Sequence, residues 1–139
     1  MRAKRIRKTL GNEKGQNLVE FALVVPLLLI LVFGIAEFGR AWMTQNILTG
    51  AAREAVRIAA VPAPGGGWNG SGATARAVEV LASAGITADN LVVADAAAAY
   101  EAVSVTIFYN FPVVVVGFIP GLDCTTIPLT STTTMRREY

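Results

Sequence analysis

The side chains that most often do chemistry in proteins are scarce in this chain. Its 139 residues include no histidine and one cysteine, Cys124. No two carboxylates lie close together in a stretch that resembles a pocket. Metal sites, thiol catalysis and catalytic triads therefore lack their usual components. The sequence predicts no catalytic, metal-binding or cofactor-binding residues.

One glycine pattern invites a nucleotide-binding interpretation. Gly65 to Gly70 matches G-x-G-x-x-G, and Asp89 follows at a suitable distance. A dinucleotide fingerprint requires a preceding strand and a tight entry into a helix. Here the glycines follow a long predicted helix and two prolines, so the segment 62–73 is interpreted as a flexible linker.

Glu20 is the ionisable residue that most needs an explanation. It directly precedes Phe21 to Ala36, sixteen residues without a charge. At ~1.5 Å of rise per residue the run covers ~24 Å, somewhat less than the ~30 Å hydrocarbon core of a bilayer. A transmembrane helix over 16–43 makes up the difference but draws Glu20 and Glu37 to the edges of the lipid. An acid there is costly unless something neutralises it.

Two interpretations of Glu20 stay open on the residues alone. Asn17 can cap the helix with Glu20 at the third helical position, which needs no partner. Alternatively, the carboxylate is neutralised in some other way, which the residues alone do not identify. Glu37 is expected to pair with Arg40 three residues later, and Trp42 is expected at the membrane interface. Pro26 should bend the helix, because it removes the bond to the Ala22 carbonyl.

The charge is distributed unevenly along the chain. Residues 1–15 hold six of the twelve basic residues and one of the ten acidic residues. This basic leader predicts a cytoplasmic N-terminus and an extracytoplasmic C-terminal part. No basic face remains beyond it, which argues against a nucleic-acid partner. Cys124 then lies in the exported part, as a free buried thiol or, less readily, in an intermolecular bridge.

The helix is predicted to continue beyond the lipid over 44–61, to about Ala60, since the chain has no proline there until Pro62. Its helically spaced apolar stripe is expected to pack against the exported head. The stripe consists of Leu48, Ala52, Val56 and Ala59. Arg53 and Arg57 lie on another face, and Glu54 can pair with Arg57.

Residues 74–139 are predicted to form the head. A short helix over Thr74 to Ser83 should face inward with Ala75, Val78, Leu81 and Ala82. Leu91 to Ala94 and Ala102 to Phe111 are predicted strands, and Ile127 to Met135 should pair antiparallel with the second. The apolar run Val113 to Ile119 is expected in the core or a subunit contact. The fold class is therefore an α+β membrane protein with one transmembrane helix, one short helix and a small antiparallel sheet.

The N-terminal residues also carry a family resemblance. The segment Gly15-Gln16-Asn17-Leu18-Val19-Glu20-Phe21 resembles the processing site of type IV prepilins. The longer stretch GQNLVEFALVVPLLLILVFGIAEFGR, together with AAREAVR at 51–57 and the terminal Met135-Arg136-Arg137-Glu138, resembles TadE-like proteins. These are pseudopilins of the tight-adherence (Flp) pilus system. The EFGR and AAREAVR segments favour this family over a major pilin.

The resemblance implies cleavage between Gly15 and Gln16 by a prepilin peptidase. The new amine of Gln16 would then pair with Glu20 of a neighbouring subunit, and Phe21 and Pro26 would lie in the same assembly contact. The implied protein acts in assembly or as a minor subunit of an adhesive pilus, at the inner membrane or the cell surface. Its partners would be other pilin-like subunits and the assembly platform. A membrane-anchored extracellular binding module remains the alternative.

Overall fold

The computed structural model of the chain describes residues 13–95, 101–114 and 126–137. The predictions for the leader residues 1–12, for 115–119, for Cys124 and for Glu138 lie outside these ranges. The described residues form two helices and three strands, which confirms the α+β class. Their bounds are α1 Glu13–Ala59, α2 Gly70–Ser83, β1 Asn90–Ala94, β2 Ala102–Pro112 and β3 Thr126–Arg136.

Helix α1 contributes to two compact units of the chain, Met1–Ile35 and Ala36–Tyr139. It is long and apolar enough to cross a membrane, because its most apolar 18 residues have a mean hydropathy of 2.8. None of these residues is buried inside the protein. This N-terminal helix indicates membrane anchoring.

The extent of α1 corrects the capping interpretation of Asn17. The helix already includes residues 13–16, so Asn17 lies inside it and cannot be its N-cap. Glu, Lys and Gln are good helix formers, which suits the helical state of Glu13, Lys14 and Gln16. These residues extend the helix toward the N-terminus. In this chain Glu20 is therefore not part of a capping box that starts at Asn17.

The sheet has the order β1-β2-β3, with both neighbouring pairs antiparallel. Leu91 lies opposite Ile107, and Ile107 lies opposite Ser131. Val103 lies opposite Met135 at one end of the hairpin, and Phe111 lies opposite Ile127 at the other. All three predicted strands are confirmed, as is the antiparallel hairpin.

The core of the second unit lies where the second half of α1, helix α2 and the inner face of the sheet meet. The predicted stripe of α1 is buried, and three further alanines widen it. The sheet contributes alternate residues of β2, as its period-two pattern predicts. The buried core residues are Leu48, Ala51, Ala52, Ala55, Val56 and Ala59 of α1, Ala60 directly after it, and Val103, Val105, Ile107 and Phe111 of β2.

Helix α2 begins earlier than predicted and turns a different face inward. Gly70, Ala73, Ala77 and Leu81 are its buried residues. Of the four residues predicted to face inward, only Leu81 does so; Ala75, Val78 and Ala82 are exposed. The predicted linker, 62–73, includes Gly70 and Ala73. Two of the four buried residues of α2 therefore lie outside the predicted helix. A side chain at Gly70 would meet the Trp68 ring at 2.7 Å, so the ring would have to move if another residue replaced this glycine.

The loop between the helices does not have the context of a dinucleotide-binding loop. It follows helix α1 rather than a strand. Gly65, Gly66 and Gly67 have positive φ angles, and the Ala63 amide donates to the Gly67 carbonyl at 3.0 Å. This arrangement is a tight turn within the linker.

Candidate membrane and assembly surface

The apolar part of α1 presents large side chains on all sides. Between residues 18 and 35, thirteen large apolar side chains are exposed, from 45% at Leu29 to 73% at Leu23. A soluble protein rarely leaves a contiguous apolar surface of this kind uncovered. The surface is suited to lipid or to the helices of other subunits.

Glu20 lies on the side of α1 that also carries Asn17, Phe21 and Val24. These four residues line one shallow depression on the helix surface. Glu20 is exposed and makes no hydrogen bond or ion pair within the described part of the chain. Its carboxylate is available to a partner from outside.

The predicted processing residues lie in the first turns of the same helix. Gly15 is half-buried and Gln16 is exposed, and both are helical. Pro26 also lies inside α1. Because proline has no N–H, the carbonyl of Ala22 lacks its usual helical partner.

Glu37 forms a cluster that joins α1 to one end of β2. Its carboxylate accepts a hydrogen bond from Arg40 Nη1 at 2.6 Å and from the Val114 backbone amide at 3.0 Å. The Arg40 guanidinium lies over the Phe111 ring, 5.0 Å from the centroid. The pair of Glu37 with Arg40 was predicted. The contacts with Phe111 and Val114 were missed, since these residues are more than 70 positions away in sequence.

The opposite side of α1 at this level carries two aromatic residues. Phe38 and Trp42 are exposed, and their rings stack with centroids 6.1 Å apart. Tryptophan with an exposed apolar ring next to a transmembrane segment is typical of the aromatic belt at a membrane interface.

A polar network fixes the middle of α1 against β3. Gln45 Nε2 donates to the Thr130 carbonyl at 2.9 Å, and Thr49 Oγ1 donates to the Gln45 carbonyl at 2.8 Å. The hydroxyl of Ser131, a buried residue, donates to Thr49 Oγ1 at 3.2 Å. These contacts satisfy polar groups at the boundary of the core.

Glu54 lies between the two helices at their charged surface. Its carboxylate is 4.0 Å from Arg57 and 3.9 Å from Arg76 of α2. Arg76 also pairs with Glu79 at 3.0 Å. All four side chains are substantially exposed, so these pairs contribute little to stability.

The described residues contain no cluster of three or more side chains suited to a metal ion. What they do contain is an exposed apolar helix, an unpaired Glu20 on it, and a packed α+β head. Among the described residues, this combination indicates membrane anchoring through the N-terminal helix.

The sequence model of the family described as TadE-like protein matches residues 15–57. The protein therefore carries a TadE-like N-terminal region, which confirms the resemblance seen in its residues. The TadE-like family is a pilin-like structural family associated with the Tad pilus and is not known for enzymatic activity. No curated protein and no solved structure shows a significant match to this chain.

Proposed function

We propose that this protein is a pilin-like membrane protein that acts in the assembly of a Flp (Tad) adhesive pilus, or as its minor subunit. It works by helix packing and catalyses no reaction. The observation that carries the proposal is the uncovered apolar surface of 18–35 within the TadE-like region. A pilin-like helix needs such a surface twice, first in lipid and then against neighbouring subunits.

The orientation follows from the charge distribution. The basic leader stays in the cytoplasm, and the head with its three strands lies on the extracytoplasmic side. Phe38 and Trp42 mark the outer interface, where Arg40 neutralises Glu37. Prepilin peptidase and other pilin-like subunits are the proposed partners.

Processing is proposed to separate Gly15 from Gln16. The cut removes all six basic residues of the leader and creates a cationic amine on Gln16. Because both residues are helical in the uncut chain, the helix around them must open to enter a peptidase site. Local opening has a low cost where no other described element packs on the helix.

The mature N-terminus is the direct test of processing. Intact-mass measurement of protein isolated from native membranes should give a chain that begins at Gln16. A chain that still carries residues 1–15 in cells with active pilus assembly would contradict the proposal.

Glu20 is proposed to pair with the Gln16 amine of a neighbouring subunit. Its side chain is exposed and has no partner within the described residues. Such a pair offsets the desolvation that either charge would suffer alone in lipid or in a filament core. Leaving one charge of a buried pair without its partner typically costs about 3–5 kcal/mol.

Two substitutions separate the charge of Glu20 from its size. Glu20→Leu and Glu20→Gln should both leave membrane insertion and cleavage largely intact while reducing incorporation into pili. Gln keeps the length and the hydrogen-bonding groups but lacks the charge. Asn17→Leu, on the same face, is the matched control and should assemble nearly normally. Normal piliation by Glu20→Gln would show that no ion pair is needed.

A membrane-anchored binding module is the second candidate, and the outer face of the sheet favours it. This face exposes threonines of β3, and Thr132 contacts Thr106 of β2 at 3.0 Å between hydroxyl oxygens. A neutral hydroxyl-rich surface can hydrogen-bond an extracellular ligand. Unprocessed protein that assembles with no other subunit would favour this candidate.

A further inference from the structure

The end of the sheet next to Glu37 has a composition that the pilus proposal does not explain. We call Pro112, Val113, Val114 and Ile127 the apolar sheet end. We propose that the apolar sheet end lies in the interfacial layer of the bilayer, as a second lipid contact besides the transmembrane helix. The inference rests on the membrane anchoring in the proposed function and not on pilus assembly.

The hydrogen bond between Val114 and Glu37 places the apolar sheet end beside Glu37 of α1. Glu37 is the first charged residue after the uncharged run that ends at Ala36, so it marks where α1 leaves the hydrocarbon. The Val114 amide donates to the Glu37 carboxylate at 3.0 Å. The apolar sheet end therefore lies at the same height as the membrane boundary of the helix.

The outermost strand residues at the two ends of the sheet differ in polarity. Near Glu37, Val114 and Ile127 are 56% and 46% exposed. At the other end lie Asp95 and Arg137, paired at 3.1 Å, with the exposed residues Glu101 and Arg136. Strands of eleven residues separate these ends by roughly 33 Å. A sheet that stands on a membrane should have its apolar end in the interface and its charged end in water.

The charges and the backbone at the apolar sheet end are satisfied in the way that lipid requires. A strand end in a lipid interface needs partners for its N–H groups. Glu37 supplies one to Val114, and Arg40 neutralises Glu37 at 2.6 Å. Arg40 in turn covers Phe111 and keeps its guanidinium half-exposed, as a basic residue does when it reaches toward headgroups.

The depth of this contact has a structural limit. Asp89 Oδ2 accepts a hydrogen bond from the Asn110 amide at 2.5 Å. Asn110 lies only two residues before Pro112, so this carboxylate is close to the apolar sheet end, and it would be costly to bury in hydrocarbon. The contact is therefore shallow and reaches the headgroup and upper acyl region only.

Tryptophan fluorescence in nanodiscs tests this contact on the full chain. The background variant carries Trp42→Phe and Trp68→Phe, which remove both native tryptophans. Single tryptophans are then introduced as Val114→Trp and Ile127→Trp at the apolar sheet end. Val92→Trp, at a 46% exposed site on the outer face of the sheet, is the matched control. Leu29→Trp, within the uncharged run, reports on the transmembrane helix.

Each nanodisc holds one copy of the protein and lipids brominated in the upper acyl chain. We expect Val114→Trp and Ile127→Trp to lose most of their emission to the brominated lipid and to resist aqueous acrylamide. Val92→Trp should show the reverse pattern. Acrylamide quenching of both sheet-end tryptophans equal to that of Val92→Trp would overturn the inference, as would protection from acrylamide without quenching by lipid.

The Leu29→Trp variant keeps the two proposals distinguishable. Its tryptophan must be quenched by the brominated lipid if α1 spans the bilayer. If it is quenched and the two sheet-end tryptophans are not, the lipid contact of the sheet is wrong and the membrane anchor stands. If Leu29→Trp is not quenched, the proposed membrane anchor is wrong, and the proposed lipid contact of the sheet is wrong as well.

Discussion

Two regions of helix α1 use apolar residues in opposite ways. Residues 18–35 carry leucine, valine, isoleucine and phenylalanine, and thirteen of these large side chains are exposed. Residues 48–60 carry mostly alanine on the inward face, and Ala51, Ala52, Ala55 and Ala59 are all 0% exposed. The larger apolar side chains are thus uncovered and the smaller ones form the core.

The difference shows that contact with lipid and packing against the sheet favour apolar side chains of different size. In lipid, large side chains maximise the apolar area that stabilises insertion. Against the sheet, small side chains let the helix backbone approach the inner residues of β2 closely. The interior is filled instead by larger residues of the sheet such as Ile107, which is fully buried.

A charge placed in each region should have the largest and most unequal effect. Leu28 lies near the centre of the uncharged run, and Leu28→Arg should make membrane insertion about 3 kcal/mol less favourable, because a charged residue at the helix centre is poorly solvated. Asn46→Arg, at an exposed position of α1 two residues before the second region, is the control and should change stability by less than about 0.5 kcal/mol. A glycosylation-based insertion assay measures the first effect. Equal insertion of Leu28→Arg and the original chain would mean that 18–35 does not span lipid.

The same substitution made once in each region tests the packing contrast. Ala55→Leu should lower the free energy of unfolding of the head by about 1–3 kcal/mol, because extra methylenes have no room in a packed core. Ala22→Leu, at an exposed position of the first region, should leave that free energy unchanged and favour insertion slightly. Denaturant unfolding in detergent, followed by the signal of the strands, measures both variants. A tolerated Ala55→Leu would show that the head packs loosely on the alanine stripe.

The polar network of the second region should give the smallest effect. Ser131→Ala removes the hydroxyl that contacts Thr49, and should lower the free energy of unfolding by about 0.5–1.5 kcal/mol. Thr130→Ala, at the exposed neighbouring position of β3, is the matched control. A double-mutant cycle with Thr49→Val measures the coupling between the two hydroxyls. A coupling of zero would show that the contact does not stabilise the head.

The sequence predicted the strands well because their signal is local. The alternation of Val103, Val105, Ile107 and Phe111 with polar residues fixes both the strand and its buried face. The same holds for the uncharged run and for the stripe of α1. The buried face of α2 was predicted wrongly, since its small residues Gly70, Ala73 and Ala77 resemble a linker and give little hydrophobic contrast.

For the candidate surface, too, features of neighbouring residues were predictable and contacts between distant residues were not. Glu20, Pro26, Glu37, Arg40 and Trp42 stand out from their neighbours, so the sequence alone identified them. Their partners across the fold could not be identified in this way. The amide of Val114 and the ring of Phe111 reach Glu37 and Arg40 only because β2 ends beside the helix.

The sequence by itself determined that this protein has a long apolar helix with an acid near its start, and that a small α+β part follows. Periodicity and the absence of charge are properties of neighbouring residues, which no tertiary contact needs to supply. Only the tertiary structure decided which alanines are core, where α2 faces, and that one end of the sheet meets the helix at Glu37. Those features depend on contacts between residues far apart in sequence, and such contacts form only when the sheet closes on the helix.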